Sequence, residues 1–356
     1  MTIGQSVLVC LLLSLATYFG GCDANKKVNW ENIPKIRSSD FRGADLAWLI
    51  TERDGALLST SDGGKTWNQV PGNAVGAKFD VVAFNDRKRG WAVNNKGWVW
   101  KSDDGGESWL EISRLTPTGS DDWQFNSAGQ IKFIDDRNGW IIETLSIWRT
   151  VDGGVNWRKV FPIGSGQSNV KGQPTSGYFD DPTNVWVTGT SGEIYRTKDG
   201  GESWQAQTLL PNGDFNEVYF VDGNTGWLLG YLGGETGTQL YRTDDGGQSW
   251  LNYPIARVQI QWICFINGDE GWAVGSEGSS AGAKESIRGV VLRTGNGGRS
   301  WNRIDIATED RSFDRIHFVD RQNGWLIGRN GLYRTEDGGK AWRPVLPFES
   351  IGRGQN

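Results

Sequence analysis

Only one histidine, one methionine and three cysteines occur in the 356 residues of this chain. A single histidine, His317, leaves no basis for a nucleophile–histidine hydrolase or a histidine-rich metal site. Its setting, Arg315-Ile-His-Phe-Val319, reads as a strand and gives it a structural role. No glycine-rich nucleotide loop and no zinc-ligand cluster is present, so neither cofactor nor metal is expected. Charge of one sign is also lacking: 37 Lys and Arg stand against 42 Asp and Glu, a formal net charge of −5. That mild acidity argues against a nucleic-acid partner, which calls for a basic face. Long apolar runs are missing apart from residues 7–19, which are too short to span a bilayer comfortably.

Aromatic residues and glycine are abundant instead, with 20 Trp and 51 Gly. Most of the Trp falls into two interlocking repeats. The first is a box of Asp-Gly-Gly closed by Trp five residues after the Asp, as in Ser59-Thr-Ser-Asp62-Gly-Gly-Lys-Thr-Trp67. It recurs from Asp104, Asp152, Asp199, Asp245, Asn296 and Asp337, at intervals of 41 to 51 residues. The second places Trp seven residues after Phe: Phe41/Trp48, Phe84/Trp91, Phe133/Trp140, Phe179/Trp186, Phe220/Trp227, Phe265/Trp272 and Phe318/Trp325. Turn residues such as Asp136-Arg-Asn-Gly139 separate the two aromatics.

Each unit reads as four short strands. In the third they are A (Ile131–Ile134), B (Gly139–Ile142), C (Ser146–Arg149) and D (Trp157–Val160), runs of β-branched and aromatic residues bounded by turn formers. Seven such units predict an all-β chain, a seven-bladed β-propeller of four-stranded antiparallel blades with the boxes as C–D turns. The box Asp is suited to accept backbone N–H bonds within its own turn, and the glycines supply positive φ. Asn296 keeps a carbonyl acceptor. A calcium loop would need several oxygen ligands at alternating positions, so the structural staple is the preferred reading.

The ends differ from the middle. Residues 1–21 read as a secretory signal peptide, and Phe19-Gly-Gly-Cys22 resembles a bacterial lipoprotein box with Cys22 as the lipidated mature N-terminus. A plain signal peptide with an incidental Cys is the alternative. An extracytoplasmic protein tethered through a lipid anchor follows, in the periplasm, a thylakoid lumen or at the cell surface. Cys264 would then be a lone buried thiol without a disulfide. The propeller is expected over residues 28–347, with 348–356 as a tail. Asn29-Trp-Glu-Asn-Ile-Pro34 has the look of a D strand able to clasp the last blade.

Loop lengths mark a working face. A–B and C–D turns share one end of the blades and keep constant lengths. B-strand Trp to box varies from 12 to 24 residues, and box Trp to the next A-strand Phe from 15 to 24. The variable segments are 111–130, 161–177, 231–239 and 276–288, and loops of this kind usually carry recognition. Trp123, Phe125, Lys171, Tyr231 and Arg288 are the candidate partner-binding anchors. A further pattern sits three residues before the box: Lys101, Arg149, Arg196, Arg242, Arg293 and Arg334, with Ser59 in the first unit. Repetition at one position implies a structural task, such as stacking on a Trp, over a cationic ring for an anionic partner. Among the arginines outside this pattern, Arg114, Arg257, Arg288 and Arg311 are scattered along the chain.

Gly-Trp strands, Asp-Gly-Gly-x-Ser/Thr-Trp boxes and the lipoprotein-like leader together resemble the photosystem II assembly and stability factor family. The resemblance implies a seven-bladed propeller on the lumenal side of photosynthetic membranes that assists assembly of the reaction centre. A non-enzymatic scaffold that docks a protein partner, such as a subunit of a membrane complex, is therefore the expected function. The alternative is a glycan-binding protein or glycoside hydrolase of the Asp-box type, with Trp123 or Tyr231 as a sugar platform. Its acid and base would come from Asp121, Asp122, Glu235 or Glu285, the carboxylates of the variable face.

Overall fold

The computed structural model describes residues 35–52, 55–70, 78–116, 128–162, 172–232, 237–255, 257–278, 287–306, 308 and 310–347. They form seven four-stranded antiparallel sheets, each built from consecutive strands in the order A-B-C-D. In the third blade the strands are Ala128–Phe133, Gly139–Glu143, Ser146–Thr150 and Arg158–Pro162. No helix occurs among the described residues, so none is long and apolar enough to cross a membrane.

There is no common core. Each of the seven apolar clusters joins one blade to the next, which spreads burial evenly around a ring. The B-strand Trp is the central piece. Trp91 stacks on Phe133 of the next blade at 3.8 Å between ring centres, Trp227 on Phe265 at 3.6 Å and Trp272 on Phe318 at 3.6 Å. Trp48 stacks likewise on Phe84 at 3.9 Å, whereas Trp140 and Trp186 meet Phe179 and Phe220 at 5.8 and 5.7 Å, the first of them tilted by 35°. Such pairs add about 0.5–1.5 kcal/mol beyond the burial of their area.

The glycine before most of these Trp residues has a steric reason. Gly90, Gly139, Gly226, Gly271 and Gly324 each pair with the A-strand Phe of their own blade. A Cβ at Gly271 would lie 2.3 Å from the Phe265 ring, which covers the glycine instead.

Ring closure repeats the same contact. Blade seven is built wholly from residues 313–347 and blade one from 36–69, so no described blade mixes strands from the two ends. Trp325 stacks on Phe41, and Ile327, Leu332 and Leu346 join Ala47, Leu49 and Leu58 in one cluster. The candidate clasp 29–34 lies outside the described residues.

Candidate functional site

The box turns hold themselves together. In the fourth box, Thr197 Oγ1 donates to Asp199 Oδ1 at 2.8 Å, and Ser203 donates its amide and hydroxyl to the two carboxylate oxygens at 2.9 and 2.5 Å. Gly201 N in turn donates to Thr197 Oγ1 at 2.8 Å. The Ser203 hydroxyl and amide, then the Thr197 hydroxyl, hold the Asp199 carboxyl at about 2. Asp245 sits in an identical turn and is also held at about 2. Asp62, Asp104, Asp152 and Asp337 accept in the same way, and Asn296 uses its Oδ1 for the Ser300 amide. Among the described residues no cluster of His, Cys, Asp or Glu is suited to a metal.

The repeated cation before each box is structural. Arg149, Arg196, Arg242, Arg293 and Arg334 lie over the B-strand Trp of their own blade at 4.6 to 5.4 Å, and Lys101 lies over Trp91 at 5.9 Å. Several also reach the next blade. Arg149 donates to Gly200 O at 2.8 Å and Arg196 to Gly246 O at 3.0 Å. Arg334 donates to Ala44 O at 3.2 Å across the closing seam. In the first blade, where Ser59 replaces the cation, Trp48 Nε1 donates to Gly105 O at 2.8 Å, a bond that Trp91 and Trp227 also make to Gly153 O and Gly297 O in blades that keep the cation.

The seven A strands line a central channel with a cavity of about 340 Å³. Their edges would present unpaired backbone groups to one another, and side chains bridge them. Asp40 accepts from Phe84 N at 2.6 Å, Gln130 pairs with both N and O of Gly177, and Thr175 donates to Phe215 O at 2.6 Å. Tyr219 donates to Phe265 O at 2.8 Å, and Cys264 Sγ accepts from Phe318 N at 3.3 Å. His317 fills the equivalent place in blade seven by stacking on Phe41 at 5.5 Å. Burial pushes its imidazole down to about 4, so it is neutral near pH 7. Burial likewise pushes the Cys264 thiol up to about 11.

Two charged groupings escape the sequence because residues far apart in the chain create them. At the box-face mouth of the channel Arg42, Arg89, Lys132 and Arg137 line one depression of about 620 Å³. They come from strand ends and A–B turns of successive blades. Arg42 pairs with Asp40 at 3.2 Å, and Arg89 pairs with Asp86 at 2.6 Å and with Asp136. On the loop face, Arg288 and Arg311, which are 23 residues apart by number, share a groove of about 440 Å³ with Arg303 and Phe313.

Of the anchors read from sequence, Tyr231 and Arg288 are described. Tyr231 is half-buried at the end of a B strand, and burial pushes its hydroxyl up to about 12. Arg288 is exposed at the start of a C strand one blade further on. The groove that takes Arg288 does not include Tyr231. Trp123, Phe125, Lys171 and Cys22 lie outside the described residues, as do Asp121, Asp122, Glu235 and Glu285.

The family described as Photosynthesis system II assembly factor YCF48 matches residues 73–218. The chain is 28% identical over 203 residues to Photosystem II assembly lipoprotein Ycf48 of Picosynechococcus sp., covering 54% of this chain and 55% of that one, so it spans about half that relative's length. It is 27% identical over 354 residues to the chloroplastic Photosystem II stability/assembly factor HCF136 of Arabidopsis thaliana, covering 90% of this chain and 82% of that one. Among solved structures, YCF48 bound to D1 peptide superposes with a TM-score of 0.62 at 19% identity, covering 86% of this chain and 94% of that one. The GH74 xyloglucanase of Xanthomonas campestris superposes with a TM-score of 0.69 at 13% identity, covering 89% of this chain and 55% of that one. At these identities the superpositions speak for the fold alone.

Proposed function

We propose that this chain, a propeller of the photosystem II assembly-factor type, is an exported non-enzymatic scaffold that docks a protein partner, a membrane-complex subunit, on its loop-bearing face. The observation that carries this reading is the similarity to a photosystem II stability/assembly factor along 90% of the chain. Geometry supports the choice of face. The repeated polar residues of the box face are committed to staples within the turn and to bonds between blades. The described strand ends that flank the variable segments, and the Arg288 groove, lie at the opposite end.

In this reading Trp123, Phe125, Lys171, Tyr231 and Arg288 are the anchors and Cys22 carries the lipid. A membrane tether suits a partner that is itself in the membrane, because it raises the effective concentration of the two. The relatives named lipoproteins and a chloroplastic factor favour an extracytoplasmic, membrane-associated location. The domain limits proposed are 1–21 for the leader, 28–347 for the propeller and 348–356 for the tail.

Cross-linked affinity purification from native membranes tests the proposal. Intact protein is compared with a triple variant carrying Trp123→Ala, Tyr231→Ala and Arg288→Ala. Subunits of one membrane complex should be recovered with the intact protein and lost with the variant. Equal recovery from both moves the contact off the loop face, and recovery of no protein overturns the scaffold reading.

A second reading, glycan binding or hydrolysis, is favoured by 28% identity over 133 residues, 32% of this chain, to the Xyloglucanase Xgh74A of Acetivibrio thermocellus. It predicts release of reducing ends from xyloglucan that is abolished by Asp121→Ala or Glu235→Ala.

A further inference from the structure

The central channel carries more positive charge than its carboxylates neutralise. Arg42, Lys132 and Arg315 line it, together with Asp40 and Glu217. Asp40 is already engaged by Arg42 at 3.2 Å and by Phe84 N at 2.6 Å. Glu217 is only 6% exposed. Burial pushes its carboxyl up to about 8 even though Arg315 pulls the other way, so it is protonated and neutral at pH 7. With Glu217 neutral, Arg315 has the more exposed Asp314 beside it, and Lys132 shares Asp40 with Arg42.

Arg315 is the more unusual of the two. Its guanidinium packs over Trp262 at 5.2 Å and feels the charge of Glu217 and Asp314. Among the described residues no oxygen accepts a hydrogen bond from it, although every nitrogen of the group is a donor. The guanidinium lies against an indole face and is only partly exposed, so its donors are open to water or to a ligand in the cavity. Arg315 and Trp262 both line the cavity.

We propose that the channel is a binding site for a small oxyanion, a carboxylate or phosphate group seated on Arg315 with Lys132 as the second cation. The two residues belong to different levels of the ring. Arg315 stands three residues before the A-strand Phe of blade seven, and Lys132 one residue before that of blade three. A strand rise of about 3.3 Å per residue offsets the two backbone levels by about 7 Å along the axis, so the two cations reach the cavity at different depths. The Asn216 amide and the neutral Glu217 carboxyl supply further donors at the cavity wall. Entry is from the box face, because Arg42 and Lys132 line both the cavity and the mouth depression. This site is independent of the loop-face docking surface.

Isothermal titration of the full chain with inorganic phosphate and with succinate tests the proposal, with chloride at matched ionic strength as control. Saturable binding of one or both oxyanions, and none of chloride, is expected. The stronger of the two identifies the group preferred. Arg315→Met should weaken binding by about tenfold or more, through loss of a charge-assisted bond. Lys132→Met should weaken it less. Arg158→Met, which removes an exposed pair with Glu202 far from the channel, should leave it unchanged. Absence of saturable binding to the unaltered chain overturns the proposal and leaves a channel solvated by water alone. Equal binding by Arg315→Met overturns the placement. If that variant does not fold, the thermal midpoint of the unaltered chain decides: it must rise with oxyanion at fixed ionic strength, and a flat response refutes the site.

Discussion

Trp325 of the last blade lies on Phe41 of the first, with ring centres 5.2 Å apart and planes 25° from parallel. The same B-strand Trp meets the same A-strand Phe as in the six other junctions, at the wider spacing also seen for Trp186 on Phe220 at 5.7 Å, so the ring is closed by the pairing that joins every pair of blades. Trp325→Ala should therefore cost about 3–5 kcal/mol, the usual range for a fully buried aromatic, and Trp227→Ala a similar amount. Urea unfolding of the two variants checks this. A seam variant that loses nothing would mean that a segment outside the described residues closes the ring.

Acid should loosen the box turns. The Asp199 and Asp245 carboxyls lie at about 2, below the ordinary 3.8. A folded-state value depressed in this way contributes stability that is present above the unfolded value and lost as pH falls through the folded one. The thermal midpoint should thus fall between about pH 4 and pH 2. Asp199→Asn, which retains the acceptor used at Asn296, should flatten that fall slightly. A midpoint independent of pH across this window would contradict the staple.

Why the fold was legible and much of the site was not follows from the same geometry. Asp62 through Asp337 and the Phe/Trp pairs recur because each performs one task that only one or two residue types can perform. The cation before each box also recurs, and it proves to lie over the B-strand Trp, as its repetition suggests. In four blades the residue just before the A-strand Phe meets the inner strand of the next blade. Asp40, Tyr219, Cys264 and His317 meet it by different chemistry, so no repeat appears in the sequence. Arg42, Arg89 and Arg137 look scattered along the chain and gather only once the blades are set around an axis.

Gly247 separates two reasons for a glycine. Its φ is +81°, and an added Cβ would meet Cζ2 of Trp186 in the same interface at 2.4 Å. Gly43 has a φ of +70° and nothing within 4 Å of the same added atom. Gly43→Ala should cost about 1 kcal/mol, the backbone term alone. Gly247→Ala should cost clearly more, by about 1–3 kcal/mol, because a packed indole must move. Equal losses in thermal unfolding would mean that Trp186 yields freely.

Cys264 offers the sharpest test of the bridged inner strands. It is 2% exposed, and its sulfur accepts from Phe318 N in the next blade. Burial first of all pushes its thiol up to about 11, so it carries almost no thiolate at neutral pH. Maleimide labelling read by peptide mass mapping should leave Cys264 unmodified in the native protein and modify it on unfolding in urea. Rapid native labelling would mean that blades six and seven separate readily. Substitution then isolates the bond. Cys264→Ser keeps an acceptor of similar size and should be close to neutral, whereas Cys264→Ala strands the Phe318 amide and should cost about 1–3 kcal/mol. Were the two variants equally stable, the sulfur would be only a filler, and the bridge between blades six and seven would rest on packing alone.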